Sequence, residues 1–167
     1  MRFAISPTSI LRLLAAFALA APLMLAPTLE TRADPGNPFN VLLGSWRGAG
    51  QIRLSDGKTE RLKCNAYYTG GGSQLGMAIR CQSETSHVEI RSKLSQSAGR
   101  ISGTWEERTY NAVGTASGKA TGDKISLQIS GGVTGTMLVS YSGSRQSVAI
   151  STQGIALQSV TIDLTRS

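Results

Sequence analysis

The stretch CNAYYTGGGSQLGMAIRC, from Cys64 to Cys81, reads as one β-hairpin around a glycine-rich turn. Centred between Gly72 and Ser73, the turn sets Cys64 opposite Cys81, Ala66 opposite Ile79 and Tyr68 opposite Met77. Every inward residue then meets another inward residue, so one register satisfies the whole pair. Facing positions on antiparallel strands lie close enough for a disulfide, which is the expected state of Cys64 and Cys81 in an oxidising compartment. Two buried thiols are the alternative. Metal binding ranks lower, because no third or fourth ligand accompanies the pair.

The same pattern extends through the chain. Turn signals recur at SDGK (Ser55), SAG (Ser97), NAVG (Asn111), TGD (Thr121), SGG (Ser130), SGS (Ser142) and TQG (Thr152). All 19 glycines lie beyond residue 33, and no proline follows Pro38. Strands of period two fill the intervals. Trp46, Gly48, Gly50, Ile52 and Leu54 share one face; Val88, Ile90 and Leu94 face in while His87, Glu89, Arg91 and Lys93 face out. The last segment, Ile155–Leu164, changes phase, and a bulge near Gln158 would keep Ile155, Leu157, Val160, Ile162 and Leu164 all inside. No apolar run keeps helical spacing after Phe39. The expectation is an all-β chain, an antiparallel up-and-down barrel of about eight to ten short strands that removes its own edges. The outward positions carry Ser, Thr, Lys, Arg and Gln, whereas a membrane barrel would be apolar there.

Ahead of the barrel stands a segment with the marks of an export leader. Arg2 and Arg12 precede the apolar run LLAAFALAAPLMLA, broken by Pro22, and TRA places Ala33 as a small residue before a cleavage point. The expected organisation is a signal peptide over 1–33, an extended N-terminal arm over 34–41 and one barrel domain over 42–167. The run is too short and interrupted for a transmembrane span, so the mature protein is expected in the periplasm or secreted. The net charge of +7 falls to +5 when Arg2, Arg12, Arg32 and Glu30 leave with the leader. Its basic residues are dispersed singly, as in Arg53, Arg61 and Lys63, without the clustering and stacking aromatics of a nucleic-acid groove.

GSW (Gly44, Ser45, Trp46) at the head of the first strand resembles the Gly-x-Trp signature of calycin-type barrels. Those include lipocalins, fatty-acid-binding proteins, avidins and nitrobindin-like haem proteins. In lipocalins that Trp packs across the closed end beneath a basic residue of the final strand. The resemblance thus implies a barrel plug made of Trp46 and Arg166, joined by a cation–π contact; a ligand-cavity floor is the other reading of Trp46. GTW (Gly103, Thr104, Trp105), followed by GTASG, resembles avidin strands, but no biotin contact maps onto this chain. The haem ligand of the nitrobindin-like proteins is a histidine, and the only one here, His87, faces out.

Catalysis finds little support. One histidine and no Ser/His/Asp arrangement remove the usual nucleophiles, and the adjacent Glu106 and Glu107 point to opposite faces of a strand. No cofactor or metal is expected. The leading expectation is a non-enzymatic monomer that binds a small apolar or amphipathic ligand in a cavity lined by Tyr68, Met77, Trp105 and Tyr141. The alternative is a cell-envelope interaction or protease-inhibitor-like module, reaching a protein partner through the N-terminal arm, DPGNPFN.

Overall fold

The structure, a computed structural model, describes residues 37–167. The leader and residues 34–36 of the proposed arm lie outside them. Ten strands follow in order: β1 (Gly44–Leu54), β2 (Thr59–Gly71), β3 (Gln74–Gln82), β4 (His87–Ser97), β5 (Arg100–Glu107), β6 (Ala112–Thr121), β7 (Lys124–Gly131), β8 (Thr134–Ser142), β9 (Arg145–Gln153) and β10 (Leu157–Arg166). Each pairs antiparallel with its sequence neighbours, and β1 pairs with β10, closing an up-and-down barrel. Closure leaves no sheet edge to template association.

The hairpin of β2 and β3 has the register expected from its sequence, with Cys64 opposite Cys81, Ala66 opposite Ile79 and Tyr68 opposite Met77. Gly72 takes the turn with a φ of 55°, in the left-handed region where glycine carries no Cβ penalty. The two cysteines are joined in a disulfide, their Cα atoms 4.2 Å apart. The link closes a loop of 17 residues, so its removal in Cys64→Ala/Cys81→Ala is expected to lower stability by about 2–4 kcal/mol, read from urea unfolding midpoints.

β2 shows the alternation most strictly: Leu62, Cys64, Ala66 and Tyr68 are buried, and each residue between them is exposed. Where β1 meets β10, the register passes from Arg53–Ser159 to Leu54–Leu157. Gln158 is therefore the extra residue of a bulge, which keeps Leu157 on the same inner face as Val160, Ile162 and Leu164. The strand starts at Leu157, however, and Ile155, expected inside it, lies in the preceding turn, 42% exposed. The chain is turning there and has no partner strand to set a facing. The outer wall is polar apart from Tyr67, Val113 and Leu138, which are exposed on it. On it Glu89 accepts Arg91 at 2.6 Å and Arg80 at 3.4 Å, and Arg91 first among these cations holds its carboxyl below the usual range. His87 is exposed on the same wall.

The two ends of the barrel differ. One carries the turns at 72–73, 98–99, 122–123 and 143–144 together with the start of β1 and the end of β10; the other carries the turns at 55–58, 83–86, 108–111, 132–133 and 154–156. The first end is closed by the segment before β1. Residues 37–41, expected as part of an exposed extended arm, instead form turns. Asn40 N–H donates to Asn37 O at 3.0 Å, Leu42 N–H to Phe39 O at 3.1 Å, and Phe39 N–H to Asn37 Oδ1 at 2.9 Å. The Asn37 amide also donates to the Gly72 carbonyl across the end. Phe39 and Leu42 are thereby driven into the core, at 0% and 1% exposure. Apolar burial overrides the extended preference of the proline-rich sequence, because a fully buried Phe contributes on the order of 1.5–3 kcal/mol.

Candidate functional site

Behind this lid the closed end is filled. Trp46 is buried, its indole N–H donating to Leu42 O at 2.7 Å. The Arg166 guanidinium lies 4.4 Å from the indole centroid and donates to the carbonyls of Leu43 at 2.6 Å and Val41 at 2.5 Å. Trp46 and Arg166 are also cross-strand partners, so one residue pair joins the first and last strands and clamps the lid. Tyr68 lies at this end too, buried, with its hydroxyl accepting the Gln146 amide at 2.6 Å. Burial pushes its phenol far above the usual range, which keeps the hydroxyl neutral. Tyr141, half-buried, donates to Gly122 O at 3.0 Å in the β6–β7 turn.

The other half of the barrel is hollow. A cavity of about 530 Å³ runs from mid-barrel to the end opposite the lid. Its walls come from nearly every strand, with Ile52, Met77, Leu94, Leu127, Met137 and Ile150 deep and Val88, Ile90, Ile129 and Leu157 nearer the mouth. The turns that frame the mouth contribute Tyr110, Val133, Ile155 and Ala156, of which Tyr110 is 71% exposed. Of the four residues expected to line a cavity, the structure brings Met77 and Trp105 to it. It takes Tyr68 and Tyr141 away, because both sit at the height of the lid, where their hydroxyls are already engaged.

Trp105 forms part of the wall by lying across its cross-strand partner Gly114, with its indole N–H donating to Ser130 O at 3.2 Å. A Cβ on residue 114 would fall 2.7 Å from the indole nitrogen. Glycine there leaves room both for the ring and for the Ser130 carbonyl, whose oxygen would lie 1.9 Å from that Cβ.

Polar groups of the wall that were not anticipated as site residues include Glu107, Thr152 and Ser92, besides Ser86, whose hydroxyl donates to Glu60 at 3.2 Å. Glu107, at the rim, is saturated by main chain: its carboxylate accepts N–H groups of Glu89 at 3.0 Å, Thr109 at 3.1 Å and Tyr110 at 2.7 Å. Thr152 donates to the Leu157 carbonyl. Ser92 differs from both. It is 7% exposed, sits between Met77 and Trp105 on the neighbouring strands, and its hydroxyl has no hydrogen-bond partner. Its position was legible, since it continues the inward phase of Val88, Ile90 and Leu94. Among the described residues no group of three or more His, Cys, Asp or Glu side chains could hold a metal ion, and no helix is long and apolar enough to cross a membrane.

No family profile and no curated protein sequence matches the chain. Among solved structures, Rv2717c from M. tuberculosis superposes with a TM-score of 0.63 at 18% identity, covering 81% of this chain and 98% of that one. The S-type phycobiliprotein lyase CPES from Guillardia theta gives a TM-score of 0.54 at 14% identity, over 77% of this chain and 90% of its own. At such identities the likeness is one of fold.

Proposed function

We propose that the protein is a non-catalytic carrier or sensor that holds a small, largely apolar ligand inside its barrel. The observation that carries this reading is the 530 Å³ cavity, which lies within the roughly 300–1,000 Å³ typical of small-molecule sites. A barrel of ten strands whose sole role was to present an outer surface would gain by packing that space with side chains, as protein interiors ordinarily are. The asymmetry of the barrel supports the same reading: one end is sealed by Phe39, Leu42 and Trp46, and the other is framed by turns rather than by a second plug. One of the structural neighbours is by its name a phycobiliprotein lyase, which is in keeping with a ligand-holding barrel. The leader-like N-terminus and the Cys64–Cys81 disulfide support work outside the cytoplasm.

An arm-mediated protein contact has less to rest on, because residues 37–41 are folded onto the barrel. The test is native mass spectrometry of protein purified from its producing cells, together with titration of a neutral polarity-sensitive naphthalene dye. A bound small molecule, or dye uptake that Ala116→Phe weakens at least about tenfold by filling the cavity, is expected. Ala116 is buried and lines the cavity. Empty protein that also ignores the dye would remove the proposal.

A further inference from the structure

We infer that the cavity is selective for a neutral ligand carrying one hydrogen-bonding group, such as an alcohol, ketone or ester, which docks on the Ser92 hydroxyl with its apolar body toward the mouth. This rests on the ligand-binding reading above and specifies its chemistry.

Three observations converge on it. First, the Ser92 hydroxyl is the one cavity-lining side-chain oxygen among the described residues that is buried without a partner. Buried polar groups are ordinarily satisfied, and an orphan on a residue of the cavity wall calls for a missing partner, which a turn about χ1 would let it meet. A hydroxyl both donates and accepts, so it suits an alcohol or a carbonyl alike. Second, no Lys, Arg or His belongs to the wall, and its one ionisable carboxyl is that of Glu107. A buried carboxylate or phosphate would meet no counter-charge there, and an unpaired ion in an apolar interior is strongly disfavoured. The two cations in the turns at the same end pair outside the wall: Lys58 with Asp56 at 2.9 Å, and Arg108 with Glu89 at 3.9 Å and Glu106 at 4.0 Å. Third, polarity is confined to mid-depth and rim. Ser92 lies halfway along β4, flanked by Met77 and Trp105, while Val88, Ile90 and Leu157 line the wall from there to a rim whose polar groups, Ser86, Glu107 and Thr152, already have partners. A polar head therefore goes in first.

The experiment is dye displacement by three probes of equal chain length, 1-decanol, decanoate at pH 7 and decane, against the native protein, Ser92→Ala and Ser92→Thr. Decanol is expected to bind at least about tenfold more tightly than decanoate. Ser92→Ala should weaken decanol about three- to tenfold, the worth of one net hydrogen bond, and leave decane unchanged. Ser92→Thr, which keeps the hydroxyl, should restore much of the loss. Because Ser92→Ala deletes an unsatisfied polar atom, its melting temperature should equal or exceed that of the native protein, which separates a lost contact from a lost fold. Decanoate binding as tightly as decanol, or an unchanged decanol-to-decane ratio in Ser92→Ala, would overturn the inference while the ligand-binding reading stands. If no probe displaces the dye and the dye itself does not bind, both fall together.

Discussion

Trp46→Ala is expected to cost about 3–5 kcal/mol of stability and to leave the affinity for a cavity ligand within about twofold of native. The indole is 1% exposed, carries the hydrogen bond to Leu42 O and supports the stacked Arg166 guanidinium. Its removal opens a large void beneath the lid and frees the arginine. Yet Trp46 is not among the residues that line the cavity, so the loss belongs to the closed end. Arg166→Ala is expected to be milder, about 1–3 kcal/mol, through its two main-chain carbonyl bonds and the ring contact. The two side chains touch, so the double variant should cost less than the sum of the singles. Urea unfolding of all four proteins reads the cycle. Additive losses would dissolve the clamp, and ligand affinity that collapses in a folded Trp46→Ala would make the residue a cavity floor.

Phe39→Ala is expected to be of similar size, about 3–5 kcal/mol, although the residue precedes the first strand. Its ring is fully buried in the same core as Leu42 and Trp46. The variant also distinguishes a structural lid from a loose arm. A lid residue should lower the unfolding midpoint and speed amide exchange at Asn40 and Leu42, whose N–H groups close the turns. An arm residue would change neither. Unchanged stability in Phe39→Ala would mean that the closed end is held by Trp46 and Arg166 without help.

The sequence by itself determined the architecture. Alternation and turn chemistry are local properties, and each hairpin could be read from its own residues: the facing of Cys64 and Cys81, the outward turn of His87, the extra residue at Gln158. Period two assigns a side chain to a face because neighbouring Cβ atoms must point to opposite sides of the sheet. It says nothing about height along the barrel axis. That coordinate comes from the stagger of ten strands on closure, and it decided which inward residues reach a void. Met77 and Trp105 fall beside the cavity, whereas Tyr68 and Tyr141, equally plausible by alternation, fall at the plugged end. The same non-local term turned Phe39 from an arm residue into a lid, since its burial depends on where strands far along the chain leave space. Ser92 shows both levels at once. Its inward facing is written in the pattern of β4, but only the packed barrel, with Met77 on one side and Trp105 on the other, leaves that hydroxyl without a partner.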